Sequence, residues 1–367
     1  MKKFAFFLPQ FHEIPENNKW WGDGFTEWTN VKKAKPLFKG HKQPKVPLND
    51  NYYNLLDIDT MKWQTNLMKE YGLDGFIYYH YYFEGKLLLE KPAELLLKNK
   101  DIEQPFFFCW ANHSWNRSWN GSKEVLIEQT YGDKNQWEKH FQYLLPFFKD
   151  ERYEKKDNMP LFMIFKTDFD CKNELLEYFD IRCKEEGFDG LYAIESFLDG
   201  KYTWPNDLYD SINNKSKCTK KILLREPNTA LDIYNTKLIY KPIKVINKLR
   251  KILYSIVGIK MPSIYSGNLI YNIIKKEPIN NQIIHSLFFE WDNTPRHSNR
   301  GYIITPPTKD KFDEIASRFK DEEYLFLNAW NEWAEGMMLE PTKENNYKYL
   351  NWIKESFPFK HIRHLSH

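Results

Sequence analysis

Short apolar runs recur along the chain and alternate with stretches of helical period. Residues 4–8, 75–81, 105–110, 160–165, 190–194, 286–290 and 324–328 read as strands. Between them, residues 55–71, 137–148, 173–186 and 309–319 carry apolar residues at helical spacing. Strands that are apolar without alternation lie buried on both faces, as in a parallel sheet covered by helices. These are seven strands, and an eighth is expected near residues 237–240. Alternation from end to end favours an α/β fold closed as a single (β/α)8 TIM-like barrel, with long loops at its C-terminal face, over an open sheet. Neither standard Gly-rich nucleotide loop occurs in the sequence.

One segment breaks the pattern. Residues 233–276 hold nine Lys/Arg and no acidic residue. Within residues 243–257, Ile243, Val245, Ile246, Leu249, Ile252, Leu253 and Ile256 fall largely on one helical side, with Lys244, Lys248, Arg250 and Lys251 interleaved. Two arrangements fit this pattern. The helix either packs its apolar stripe on the barrel, or lies on an anionic membrane surface.

Composition narrows the class. The 367 residues are 42% hydrophobic and 28% charged, with a net charge of +3, which excludes wholesale disorder and argues against a nucleic-acid partner. The length suits one barrel over residues 4–356, with the basic insertion at 233–276 and a tail at 357–367. The opening apolar run stops too soon for a signal peptide, and no run of ~18 apolar residues spans a membrane. The four cysteines lack metal or redox spacing. A cytoplasmic protein is expected, peripheral at the inner membrane if the basic helix docks there.

Aromatic residues make up 17% of the chain, and many stand beside carboxylates, amides and histidines. The segment Trp115-Asn116-Arg117-Ser118-Trp119 is one such cluster. Flat rings cover the C–H patches of sugar rings while polar neighbours take the hydroxyls. Barrel enzymes place their chemistry after the strand C-termini, and five strand ends here carry such mixtures. The candidate sugar contacts are His12, Trp20, Trp21, Glu27 and Trp28 after the first strand, and His80 and Tyr81 at the second. Trp110, Asn112 and Trp115 follow the third, Trp291, Asp292 and Arg296 the penultimate, and Asn331 and Trp333 the last. His12 and His80 either orient neighbours or touch sugar. Asp292 and Arg296 form either a structural ion pair or a clamp on substrate.

The sharpest feature is Glu332 and Glu335. If that segment turns helically, their Cβ atoms come within ~5–6 Å. Carboxylates that close suit retaining glycoside chemistry, one as acid and one assisting attack on the anomeric carbon. A helix N-terminus also favours Glu, so a capping role stands beside the catalytic one. Asp168-Phe169-Asp170 has the Asp-x-Asp form of a transferase metal site, but three residues are a weak signal. No cofactor or metal is expected.

Several long motifs, in order, resemble one family. Leu8-Pro9-Gln10-Phe11-His12 through Trp20-Trp21-Gly22 and Gly24-Phe25-Thr26-Glu27-Trp28-Thr29-Asn30-Val31 is similar to the WbsX-type proteins of bacterial O-antigen and capsule clusters. So are Asp74-Gly75-Phe76 to His80-Tyr81, Trp110-Ala111-Asn112, Trp291-Asp292-Asn293-Thr294 with Arg296, and Asn331-Glu332-Trp333-Ala334-Glu335-Gly336 with Glu340-Pro341. That family is grouped with glycoside hydrolase family 99, barrels that act on α-mannosides with retention. The resemblance implies that Glu332 assists the sugar's own 2-hydroxyl, which attacks the anomeric carbon to form a 1,2-anhydro sugar. It implies that Glu335 is acid, then base. The chain departs from the resembled pattern at His113-Ser114, where relatives usually read Glu-Asn. An oligosaccharide or polysaccharide substrate, free or lipid-linked, follows from this resemblance. Three functions stay open: a retaining glycosidase on a surface polysaccharide or its precursor, a glycosyltransferase of polysaccharide assembly, and a silent sugar-binding module.

Overall fold

Eight parallel strands close into a barrel. The computed structural model describes residues 1–117, 124–197, 206–256, 258–259 and 261–358. The strands are β1 (Lys2–Phe7), β2 (Gly75–Phe83), β3 (Phe106–Trp110), β4 (Met159–Ile164), β5 (Tyr192–Ser196), β6 (Thr219–Leu224), β7 (Ile283–Phe288) and β8 (Tyr324–Asn328). Each pairs in parallel with the next, and β8 returns to β1 with Phe4 opposite Phe326. All nine residues of β2 are buried, as are all five of β3, β5 and β8. Strands sealed on both faces need apolar side chains at every position, which is why the apolar runs lack alternation.

Phenylalanine rings fill the barrel. Phe4 meets Phe107 at 5.2 Å between centroids, and Phe326 meets Phe107 at 5.6 Å and Phe6 at 6.2 Å. At Gly75 the packing leaves no room for a side chain, since a Cβ there would lie 2.4 Å from the Phe4 ring and 2.6 Å from the Pro105 carbonyl. Much of the aromatic content is therefore core.

The eighth strand is not at residues 237–240, which form a 3₁₀ turn over Leu238–Tyr240. It is β6, whose apolar run is interrupted by Lys220 and Lys221. Both lysines are half-buried at the strand's N-terminal end, beside a register shift between Thr219 and Lys221. The Lys221 ammonium donates to the Asn281 carbonyl, so the charge leaves the core without breaking the ladder.

Among the described residues, the segment between β6 and β7 holds three α-helices: Asn228–Thr236, Lys241–Ile256 and Gly267–Ile274. The last buries Ile270, Tyr271, Ile273 and Ile274 against the barrel. Helix Lys241–Ile256 buries no residue, so it is not the barrel helix that its apolar stripe also allowed. Just beyond it, Ser263–Tyr265 joins Tyr302–Ile304 and Trp291–Asp292 in a small three-stranded sheet at the barrel rim. Trp119 and the tail from residue 359 lie outside the described residues. No helix among the described residues is long and apolar enough to cross a membrane.

Candidate active site

The chain leaves β8 through Ala329 and Trp330 and at once forms a tiny hairpin. Asn331–Glu332 pairs antiparallel with Met337–Met338, and a 3₁₀ turn at Trp333–Glu335 joins them. Gly336 closes it at φ 56°, and a Cβ there would press 3.0–3.1 Å from Asp292 atoms. Only glycine meets both demands. The Glu-x-x-Glu spacing is thus realised across a 3₁₀ turn rather than an α-helix.

Asn331 fixes this hairpin to the barrel. Its Oδ1 accepts from the Leu8 amide at 2.7 Å, and its Nδ2 donates to the Leu8 carbonyl at 3.0 Å. Asn331→Ala orphans two buried backbone groups, so we expect a loss of about 2–4 kcal/mol of stability, read from the urea midpoint. A loss under about 0.5 kcal/mol would show that water or neighbours replace the side chain.

One guanidinium gathers the carboxylates. Arg296 places Nη2 3.3 Å from Glu332 Oε2, and its Nη1 donates to Glu335 Oε1. On its other side Nη2 and Nε lie 2.6 and 2.9 Å from Oε1 of the fully buried Glu27. Glu335 receives a second bond, from Trp291 Nε1 at 3.0 Å. Burial, and then the nearby Glu335 charge, outweigh Arg296 and push the Glu332 carboxyl up to about 8. Burial also raises Glu27 above the usual carboxylate range despite the pull of Arg296. Of the pair, Glu332 is therefore the carboxyl that burial inclines to keep its proton.

Glu332, Glu335 and Arg296 face a cavity of about 330 Å³ at the C-terminal end of the barrel. Trp21, Tyr81 and Trp115 supply its aromatic walls. Trp20 backs Trp115 edge-on at 5.8 Å between centroids.

The remaining candidates do not line this cavity. His80 points outward, its Nε2 2.8 Å from His140 Nε2, and burial lowers it to about 3. His12 is buried and pushed down to about 4 by that burial, so it is neutral. Trp28 Nε1 donates to the Tyr53 carbonyl at 2.8 Å, and Trp110 Nε1 to the Tyr82 carbonyl at 3.1 Å. Asn112 ties the ends of β3 and β4, its amide bridging both backbone groups of Lys166 at 2.6 and 2.7 Å. Trp333 Nε1 donates at 2.6 Å to buried Glu340, which also receives Tyr53 and Gln64. Asp292 pairs with His41 and Gln43, each at 2.8 Å, and with Thr294 at 2.6 Å. Of the two readings of Asp292 with Arg296, the structural ion pair gives way to Arg296 paired with three glutamates.

The cavity also holds residues that the sequence reading passed over. Tyr79 lines it two residues before Tyr81, as strand alternation requires once Tyr81 faces inward. The same alternation turns His80 away. Arg225 stands immediately after β6 and was hidden with that strand; its guanidinium lies 4.3 Å over the Phe165 ring. His113, which the sequence reading noted only as a departure from the resembled pattern, lines the same wall and is lowered to about 4, chiefly by burial.

A (β/α)8 barrel whose rim brings two glutamates and an arginine to an aromatic-walled cavity is the frame of a carbohydrate-active enzyme. Within that class, the chain belongs to the glycosyltransferase WbsX family, whose profile matches residues 3–353. It is 28% identical over 372 residues to the uncharacterized protein WxcX of Xanthomonas campestris pv. campestris, in strains B100 and ATCC 33913. That match covers 96% of this chain and 49% of the relative, so the chain spans about half the length of the curated relatives it matches. Among solved structures, the fold is similar to the GH99 endo-alpha-mannosidase of Bacteroides thetaiotaomicron, with a TM-score of 0.54 at 13% identity over 96% of this chain and 97% of that one. A glycoside hydrolase-like protein aligns with a TM-score of 0.57 at 12% identity, over 97% and 93%. These likenesses establish the fold.

Proposed function

We propose that the protein is a retaining enzyme acting on an α-glycosidic, mannoside-like linkage of a bacterial surface polysaccharide or its precursor. The observation that carries this reading is the convergence of Glu332 and Glu335 on one arginine at the floor of the aromatic cavity. The endo-α-mannosidase activity of the barrel with the similar fold supports the choice of linkage.

In the first step Glu332 takes the proton of the substrate's 2-hydroxyl. That oxygen bonds to the anomeric carbon as the bond to the leaving oxygen breaks, and Glu335 protonates the departing oxygen. In the second step an acceptor O–H attacks the anomeric carbon and gives its proton to Glu335. The 2-oxygen leaves that carbon and recovers its proton from Glu332. Every proton is returned, and two inversions give net retention.

Burial raises Glu332, the group that has to act as base, so substrate binding has to lower it. Arg296 touches both carboxylates. A shift of its guanidinium toward Glu332 lowers that carboxyl into the state the first step needs. Tyr79, Tyr81 and Arg225 stand ready to take sugar hydroxyls.

The acceptor decides the reaction's name. Water gives hydrolysis and a sugar hydroxyl gives transfer, the latter favoured by the family's description as glycosyltransferases. The test is mass spectrometry of products from free and lipid-linked repeat units, with and without nucleotide sugars, for wild type and Glu335→Gln. Shortened glycans without nucleotide sugar, absent with the variant, are expected. Lengthened glycans that require nucleotide sugar would replace this mechanism with a sugar-nucleotide transferase.

A further inference from the structure

Helix Lys241–Ile256 is mounted inside out. At 100° per residue, Val245, Ile246, Leu249, Ile252, Leu253 and Ile256 fall within one 120° arc. All six are exposed, Ile246, Leu253 and Ile256 by 62, 65 and 75%. The half-buried positions are Lys244, Asn247 and Lys251, on the opposite side. Lys251 Nζ donates to Ser263 Oγ at 2.9 Å, tying that polar side to the protein. Leu238 and Ile239, in the turn that leads into the helix, are 80 and 73% exposed as well. A helix of this kind reverses the usual order, in which the apolar stripe packs inward. Its exposed face asks for a cover.

Charge says which cover fits. Lys248 and Arg250 are exposed and flank the apolar arc on either side. Long cationic side chains so placed reach headgroups while their stems follow the apolar surface. Beneath the helix, Lys244, Lys248, Arg250 and Lys251 line one cavity of about 270 Å³ with Tyr234 and Tyr265. Across residues 233–276 no acidic side chain offsets these cations. We infer that helix Lys241–Ile256 seats the protein on an anionic phospholipid surface, apolar arc in the acyl boundary and cations among the phosphates.

The seat adjoins the candidate site. Lys251 holds the edge strand Ser263–Tyr265, and the far strand of that small sheet carries Trp291, which donates to Glu335. Docking by this helix sets the cavity close to the lipid surface, where a lipid-linked glycan would present its sugars.

Vesicle co-sedimentation tests the inference without any turnover, so its result is separate from the proposed activity. Wild type is expected to sediment with vesicles rich in phosphatidylglycerol, to remain free with phosphatidylcholine alone, and to be released by high salt. Ile246→Gln/Leu249→Gln/Leu253→Gln, all at exposed positions, should keep the wild-type melting temperature and bind about tenfold more weakly or worse. Lys248→Glu/Arg250→Glu should lose the preference for phosphatidylglycerol. Wild type left in the supernatant with phosphatidylglycerol, or a triple variant that sediments as wild type does, would overturn it. So would a wild-type dimer in sedimentation velocity that the triple variant converts to monomer, because the cover would then be a second copy.

Discussion

Glu335→Gln is expected to lower kcat/KM for an unactivated glycoside by about 10²–10⁴-fold, and an activated aryl leaving group is expected to restore most of that loss in kcat/KM, which reports the first step. An aryl oxide departs without a proton, so a missing acid costs little. Glu332→Gln should be slow with both substrates, because attack by the 2-hydroxyl needs a base whatever leaves. The comparison matters because the raised Glu332 carboxyl points the other way. Burial and its partner's charge put the proton on Glu332, at about 8, and Glu335 is held by Arg296 and Trp291. If the activated substrate rescued Glu332→Gln and not Glu335→Gln, the roles would be reversed and the proton would already rest where catalysis needs it. In either case the pair works with one proton, so kcat/KM should fall as pH rises past about 8. A rate that stays flat to higher pH would remove the shared proton from the mechanism.

The barrel and the glutamate pair were legible because each rests on local information. Apolar runs mark strands sealed on both faces, and a three-residue spacing survives any tight turn. What was hidden depended on charge inside a strand, on facing, or on distant partners. Lys220 and Lys221 masked β6, and with it Arg225. Strand alternation, applied to Tyr81, finds Tyr79 and dismisses His80 without a structure. No such rule reaches the partners of Arg296. Its bidentate partner Glu27 lies 269 residues away in sequence, and the adjacent Asp292 is taken by His41 and Gln43 instead. The basic helix is a third case. Its stripe was plain, but a stripe does not say whether it faces the barrel or the outside.

That long-range pair carries the largest stability prediction. Arg296→Met leaves Glu27 fully buried without its guanidinium, and leaves Glu332 and Glu335 facing each other without a shared cation. Breaking a buried pair from one side costs about 3–5 kcal/mol, most of it the uncompensated charge rather than the lost bond. The added change Glu27→Gln should recover a large part, since a neutral amide tolerates that site. Proton linkage gives a second readout. The Glu27 carboxyl is already raised in the folded protein, and without Arg296 it rises further. The native state then binds protons that the unfolded chain has released, so stability falls as pH rises from the ordinary carboxylate range through the folded value. Urea unfolding should therefore show a deficit for Arg296→Met that is smaller at pH 5 than at pH 8. A deficit that does not change with pH would assign the loss to packing around the arginine stem. A deficit under about 1 kcal/mol would mean that water reaches Glu27 and that Arg296 is not what holds the carboxylates together.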